Sequence, residues 1–192
     1  ILQLWFSWCL TQCILSSTFF INENYKTLKL KTKTTMYQDH LHVCLFQPEI
    51  PQNTGNIGRL CAATQCRLHL ITPLGFSTDD KNLLRAGLDY WPYLDLEVHK
   101  SLEDLLSRFE PNQVAFFSKL GKKSYRHMSS DIKLIIFGRE TSGFPSEIHQ
   151  RHADQLYQVP MFHTGVRSLN LANCVSIVTY HQLLERVEVN PL

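Results

Sequence analysis

The sequence predicts an α/β fold in which helices flank a mostly parallel sheet. Short apolar runs alternate with helix-period patterns from residue 42 to residue 187, the order that βαβ crossovers require. The run Lys133–Phe137 is apolar at every position after its lysine, as expected of a strand covered on both faces.

The elements follow in order. His42–Gln47 reads as the first strand, and Thr54–Gln65 as a helix whose inward stripe is Ile57, Leu60, Cys61 and Thr64. Leu68–Thr72 is a strand ended by Pro73, which has no N–H for a ladder. Asp80–Leu88 reads as a helix with Asp79 or Asp80 as its cap, and Leu94–Val98 as the next strand. Ser101 opens a capped helix running to Phe109, with Glu103 and Asp104 in its first turn. Val114–Ser118 and Lys133–Phe137 are strands, a short helix starts near Pro145, and Leu156–Val159 is a last strand ended by Pro160. Leu169–Val187 is the longest helix. Leu171, Cys174, Val175 and Val178 form one apolar stripe on it, and Ile177, Tyr180 and Leu184 a second. Two stripes imply burial on two sides, against the sheet and against a second subunit.

The chain has 192 residues, with 19 basic and 17 acidic side chains and a net charge of +2. That is one domain's length with enough chain to bury a core. The charge excludes a binder that relies on bulk positive potential, and 44% hydrophobic with 11% aromatic residues excludes a disordered chain. Every glycine and proline lies from Pro48 onward. Residues 1–35 carry Lys26, Lys29, Lys31 and Lys33 against Glu23, so the rest of the chain is slightly acidic.

Ile1–Asn22 has no charged residue and is long enough to span a bilayer; the lysines after it would hold the body in the cytoplasm. No positive residue precedes the apolar run and no small-residue cleavage site follows it, so a secretory signal is disfavoured; without arginine, so is a transit peptide. The expected division is therefore an extension over residues 1–35, outside the domain, and a single cytoplasmic domain over 36–192. The extension reads as a translated leader ahead of Met36, with a membrane anchor as the other reading. Cys44, Cys61, Cys66 and Cys174 form no C-x-x-C pair, and the nine histidines are scattered; buried free thiols and no metal are expected. His149 and His152 read as a solvated helix face.

Ligands of such a sheet sit beyond the carboxyl ends of the strands, where three loops stand out. Pro48–Arg59 brings Asn53, Gly55 and Arg59 to one helix start, an arrangement that suits phosphate. It carries neither a P-loop nor G-x-G-x-x-G, and a glycine turn with a surface arginine is the plain alternative. Phe137–Pro145 places Gly138 directly after a buried strand and Glu140 where burial is expected; the plain alternative has Glu140 capping the helix near Pro145. Val159–Asn170 crowds Arg167, Ser168 and Asn170 before the long helix, where Ser168 could simply be the N-cap.

Taken together, N-x-G-x-x-x-R after the first strand, G-x-E-x-x-G after a late strand and R-S-L-N-L-A-N before the final helix resemble the SPOUT class of RNA methyltransferases. The TrmL-type tRNA wobble-nucleotide 2′-O-methyltransferases are the nearest subgroup, and Asp79–Tyr90 is similar to a stretch associated with them. The resemblance covers residues 41–187. It implies a carboxy-terminal trefoil knot, an exception to the rule against knots, with S-adenosylmethionine bent within it. It also implies a homodimer acting on tRNA, with no part for DNA. Carried across, Gly138, Val159 and Ser168 line the cofactor, with Phe117 at a further contact position that no motif anchors. Backbone groups of residues 159–171 read the adenine. Arg59, Glu140, Ser168 and Asn170 correspond to active-site residues, and Asn53 to the first-motif asparagine. His181 stands where many relatives have a glutamate.

The chemistry asks for alignment of a weak ribose nucleophile with a reactive methyl donor, and for removal of one proton. The class assigns that proton to the arginine at position 59; a guanidinium pKa above about 12 also allows a role in holding phosphate. RNA contact must be local, and Lys119, Lys122, Lys123 and Arg126 supply a compact basic patch, with Lys81 and Arg85 as further candidates. Two other readings stay open: another tRNA or ribosomal RNA site, and a catalytically silent RNA-binding dimer.

Overall fold

The computed structural model describes residues 40–77 and 90–189. The expected Asp80–Leu88 helix, Lys81, Arg85 and the amino-terminal extension lie outside the described residues. Seven strands form one sheet: β1 (His42–Phe46), β2 (Arg67–Ile71), β3 (Leu96–His99), β4 (Val114–Phe117), β5 (Lys123–Ser124), β6 (Leu134–Phe137) and β7 (Leu156–Gln158). Their order is β3-β2-β1-β6-β4-β7-β5, and every pairing is parallel. The α/β expectation holds, with β5 added. Two residues pairing with Tyr157 and Gln158 at the sheet edge are too few to leave a period in the sequence.

Among the described residues, four helices cover the sheet: α1 (Pro51–Thr64), α2 (Leu102–Leu106), α3 (Ser146–Arg151) and α4 (Leu171–Val189). On one face Ile57 and Cys61 of α1 and Ala172, Val175 and Val178 of α4 pack on Val43, Leu45, Ala115, Ile135 and Phe137. On the other, Leu102 and Leu105 of α2 and the half-buried Ile148 of α3 meet Cys44, Phe46, Phe116, Leu134 and Ile136. Central strand β6 is therefore buried at all four positions, which is why it reads as a continuous apolar run. Among the described residues, no helix is long and apolar enough to cross a membrane.

Helix boundaries moved where local signals competed. Helix α1 starts three residues before the expected Thr54, because Pro51 suits the first helical position. Gly58 is accommodated inside it, since a side chain there would press on Tyr90 and Leu94 at 3.3–3.4 Å. Helix α2 keeps its Ser101 cap, whose Oγ accepts the Asp104 N–H at 3.2 Å. It stops at Leu106 rather than Phe109, where tighter turns take over: the Arg108 and Phe109 amides reach back three residues, to Leu105 and Leu106. Helix α4 starts at Leu171, two residues later than expected. Its first stripe is buried at Val175 and Val178, while Ile177, Tyr180 and Leu184 are exposed by 40, 51 and 59%.

His149 and His152 do not form a solvated face. His149 Nε2 lies 2.9 Å from Ser118 Oγ, and the His152 ring stacks on Phe116 at 4.3 Å between centroids. Nor are the histidines all scattered. His42, His69 and His99, from the three neighbouring strands β1, β2 and β3, follow one another at 2.8 Å between ring nitrogens. Burial holds His42 down to about 4 and His69 down to about 2, so both are neutral at pH 7. The four described cysteines are free thiols, as expected.

Gln182 ties α4 to the turn before β6: its amide donates to the carbonyls of Ser129 at 2.8 Å and Ile132 at 3.2 Å. Gln182→Ala takes one donor from each carbonyl, leaving the Ile132 N–H on Ser129 and Arg186 on Ile132; losing two such hydrogen bonds should cost about 1–3 kcal/mol, measured as a lowered midpoint in urea unfolding.

Candidate active site

The sheet order reverses direction at β1, whose neighbours are β2 on one side and β6 on the other. Such a switch point opens a crevice at the carboxyl ends of the strands. Here it is a cavity of about 480 Å³ formed by the segments after β1, β4, β6 and β7. Asn53, Phe117, Gly138, Glu140, Val159, Ser168 and Asn170, from these four stretches of sequence, all line it. Arg59 does not. It sits two turns into α1, exposed, with its guanidinium 4.9 Å from the centre of the Tyr90 ring.

One carboxylate organises the meeting of the loops. Glu140 accepts the Glu49 N–H at 2.8 Å, the Ile50 N–H at 3.3 Å and the Asn53 side-chain amide at 3.2 Å. A negative charge at the amino end of α1 is favoured by the helix dipole and by amides that have no partner within the helix. Glu140 therefore serves α1, not the short helix after Pro145. Asn53 passes the link onward: its Oδ1 accepts from Asn170 Nδ2 at 3.0 Å. Asn170 in turn caps α4, its Oδ1 accepting the Ala172 N–H at 2.9 Å and the Asn173 N–H at 3.4 Å. The cap of the long helix is therefore Asn170, which leaves Ser168 exposed at the cavity wall.

The first loop is not a glycine turn. Gly55 lies in the second turn of α1, where its carbonyl accepts the Tyr90 hydroxyl. Gly138 cannot be otherwise: an added Cβ would stand 2.7 Å from the Gly143 carbonyl carbon and 2.8 Å from the Phe144 nitrogen. Gly143, at φ +70°, closes that turn through two hydrogen bonds with Arg139. Arg139 also donates to the Gln47 side chain and lies over the Phe46 ring, so its charge is held at the wall rather than swinging free.

Two contributors carried no signal in the sequence. The Glu49 carboxylate takes the Thr141 hydroxyl at 2.6 Å and the Thr141 N–H at 3.1 Å. These hydrogen bonds, the hydroxyl's above all, hold its carboxyl below the usual range. The clasp joins residues 92 apart. Ser118 and His149 are the second pair; the ring also faces the Pro145 carbonyl at 3.1 Å, which fixes it at the cavity edge. Only pairing β4 beside β6 brings them together.

An α/β frame with a ligand cavity at the switch point defines a small-ligand enzyme architecture. The profile of the SpoU rRNA Methylase family matches residues 40–180, and the chain belongs to that family. A Saccharophagus degradans protein named tRNA (cytidine(34)-2′-O)-methyltransferase is 42% identical over 141 residues, covering 72% of this chain and 91% of its own. A Bacillus subtilis (strain 168) protein, whose name gives the same activity provisionally, is 48% identical over 151 residues, 76% of this chain and 93% of its own. A solved structure described as giving insight into the 2-OH methylation of C/U34 on tRNA superimposes with a TM-score of 0.68 at 42% identity, over 77% of this chain and 99% of the other.

Two outcomes follow from the geometry. Asn53→Ala removes the link between Glu140 and Asn170 from a buried position; it should cost about 1–3 kcal/mol in urea unfolding. Cys174 lines the cavity, and burial pushes its thiol up to about 11. Reactive thiolate is therefore scarce at pH 8 in the folded chain and ordinary once it unfolds. Peptide mapping after iodoacetamide should find Cys174 labelled in denaturant and spared without it.

Proposed function

We propose that this chain transfers a methyl group from S-adenosylmethionine to the ribose 2′-hydroxyl of the wobble nucleotide, cytidine or uridine at position 34, of tRNA anticodons. The observation that carries the proposal is the convergence of Asn53, Gly138, Glu140, Ser168 and Asn170 on one cavity, in a chain whose relatives bear that activity in their names.

The residues present suit the cofactor. Phe117 and Phe137, stacked at 4.9 Å, and Val159 form an apolar wall for an adenosine, and the polar groups of Glu140, Ser168 and Asn170 line the same cavity. When bound, S-adenosylmethionine supplies an electrophilic methyl on sulfur. The chain supplies alignment. Gly138, Val159 and the backbone of residues 159–171 hold the nucleoside, while Ser168 and Asn170 orient the ribose hydroxyl. Glu140 keeps the loops in register without touching the reacting atoms. Arg59 lies exposed with its guanidinium over an aromatic face. Its role is to hold the phosphate beside the target ribose rather than to take the proton.

The same reading makes the protein a homodimer with a trefoil knot at its carboxy-terminal end. The exposed stripe Ile177, Tyr180 and Leu184 supports the dimer. So does a neighbouring groove lined by Tyr125, Pro160, Phe162 and Leu169. Arg59 lies outside the cavity of its own chain, on the helix packed against α4, and a dimer through α4 gives it a route to the partner's substrate. Exposed Lys119 lines the cavity and exposed Arg126 the groove, and with exposed Lys122 between them in the chain they suit RNA phosphates.

The test is methyl transfer from labelled S-adenosylmethionine to unmodified bulk tRNA, followed by nuclease digestion and mass mapping. A 2′-O-methyl group on nucleotide 34 is the expected product; methylation elsewhere moves the target, and no transfer beside an active control enzyme overturns the reading. Arg59→Ala should lower kcat/KM about 100-fold or more, comparable to loss of one charge-stabilising donor. Arg59→Lys should retain more activity than Arg59→Ala at every pH, because an ammonium still holds phosphate.

A further inference from the structure

On the sheet face opposite α1 and α4, away from the cavity, three donor atoms converge. His69 Nδ1 stands 2.8 Å from His99 Nε2, and Glu97 Oε2 stands 3.8 Å from the first and 3.9 Å from the second. Among the described residues this is the group of three whose donor atoms come close enough to share an ion, and none of the three lines the cavity. We propose that His69, Glu97 and His99 form a binding site for a divalent transition metal of the zinc type, joining the edge strand β3 to β2.

The geometry carries the proposal. Edges of 2.8, 3.8 and 3.9 Å put a point about 2.1 Å from all three atoms in their own plane, so the two ring nitrogens, at hydrogen-bonding distance without an ion, need to part by only about half an ångström to give a tetrahedral ion zinc bonds of about 2.0–2.2 Å. Two imidazoles and one carboxylate are a zinc donor set with a fourth position left for water. The surroundings orient those donors. His42 Nδ1 lies 2.8 Å from His69 Nε2; with the His69 proton on Nε2 donating to His42, Nδ1 presents its lone pair to the centre. That is the outer-shell hydrogen bond by which ligating imidazoles are aligned. Arg108 Nη1 donates to Glu97 Oε1 at 2.8 Å and to Oε2 at 3.0 Å, so Oε1 keeps the carboxylate in place when Oε2 turns to the ion. Both rings are buried, His69 at 1% and His99 at 6% exposure, while Glu97 is half-exposed. The ion therefore enters from the Glu97 side. Neighbouring strands supply all three donors: Glu97 pairs with His69 across the ladder, and His99 follows two residues later on the same face.

This inference stands independently of the methyl-transfer reading. The experiment uses the full chain, stripped with a chelator and titrated with zinc chloride by calorimetry, then with cobalt(II) by visible absorption. One equivalent of zinc should bind, an intense tetrahedral cobalt band should appear, and the thermal midpoint should rise by about 5 °C or more at a hundredfold excess over Kd. Glu97→Gln and His99→Gln should each weaken zinc binding about 100-fold or more. Glu97 is half-exposed, so its variant leaves the core filled, and an unchanged circular dichroism spectrum of the metal-free variant checks that. Undiminished zinc affinity in both variants places the metal on other ligands and overturns the proposal, as does a wild-type chain without the cobalt band.

Discussion

The Glu140 carboxylate is the constraint on which the site depends. Each loop around the cavity comes from a different strand end, and by itself none has a reason to hold its position. Glu140 gathers two backbone amides ahead of α1 and the Asn53 side chain, and Asn53 extends the tie to the cap of α4. The chain of hydrogen bonds spans sequence separations of 91 and 117 residues. Its free energy comes from matching a charge to amides that the helix leaves unpaired. Substituting any member takes a hydrogen bond from the next, so the loops keep or lose their alignment together.

The sheet sets where this can happen. Because β1 sits between β2 and β6, the segments leaving β1 and β6 diverge to opposite sides and open the crevice. Glu49 and Thr141 clasp those two segments at the outer rim, and Asn53 and Glu140 clasp them farther in. Glycine is required at position 138, where the backbones touch. The proposed methyl transfer uses this rigidity: a ribose hydroxyl and a sulfonium methyl react well only when held in line. Arg59, exposed on α1, is an expected active-site residue that this scaffold does not deliver to its own cavity.

Strands, helices and the three loop motifs were legible from local signals. The continuous apolar run of β6, the Ser101 cap and Pro145 ahead of α3 all work within a few residues of chain. What misled was competition between local signals. Pro48 and Pro51 read as loop, whereas Pro51 opens a helix. A cap at Ser168 was the plain alternative to a site role, yet Asn170 takes the amides because it stands one residue before Leu171. Strand β5 was missed since two residues leave no period.

From its sequence alone this protein is an α/β chain whose loop motifs resemble an RNA methyltransferase class, because periodicity and motif spacing are properties of neighbouring residues. Only the tertiary structure decided which side chains meet. Nothing in the spacing of His69 and His99, 30 residues apart, brings their rings together; the parallel register of β2 and β3 does. The same holds for Ser118 with His149 and for Asn53 with Asn170. Pairing across a parallel sheet is set by burial of whole strands, a property of the packed chain that no short stretch of it contains.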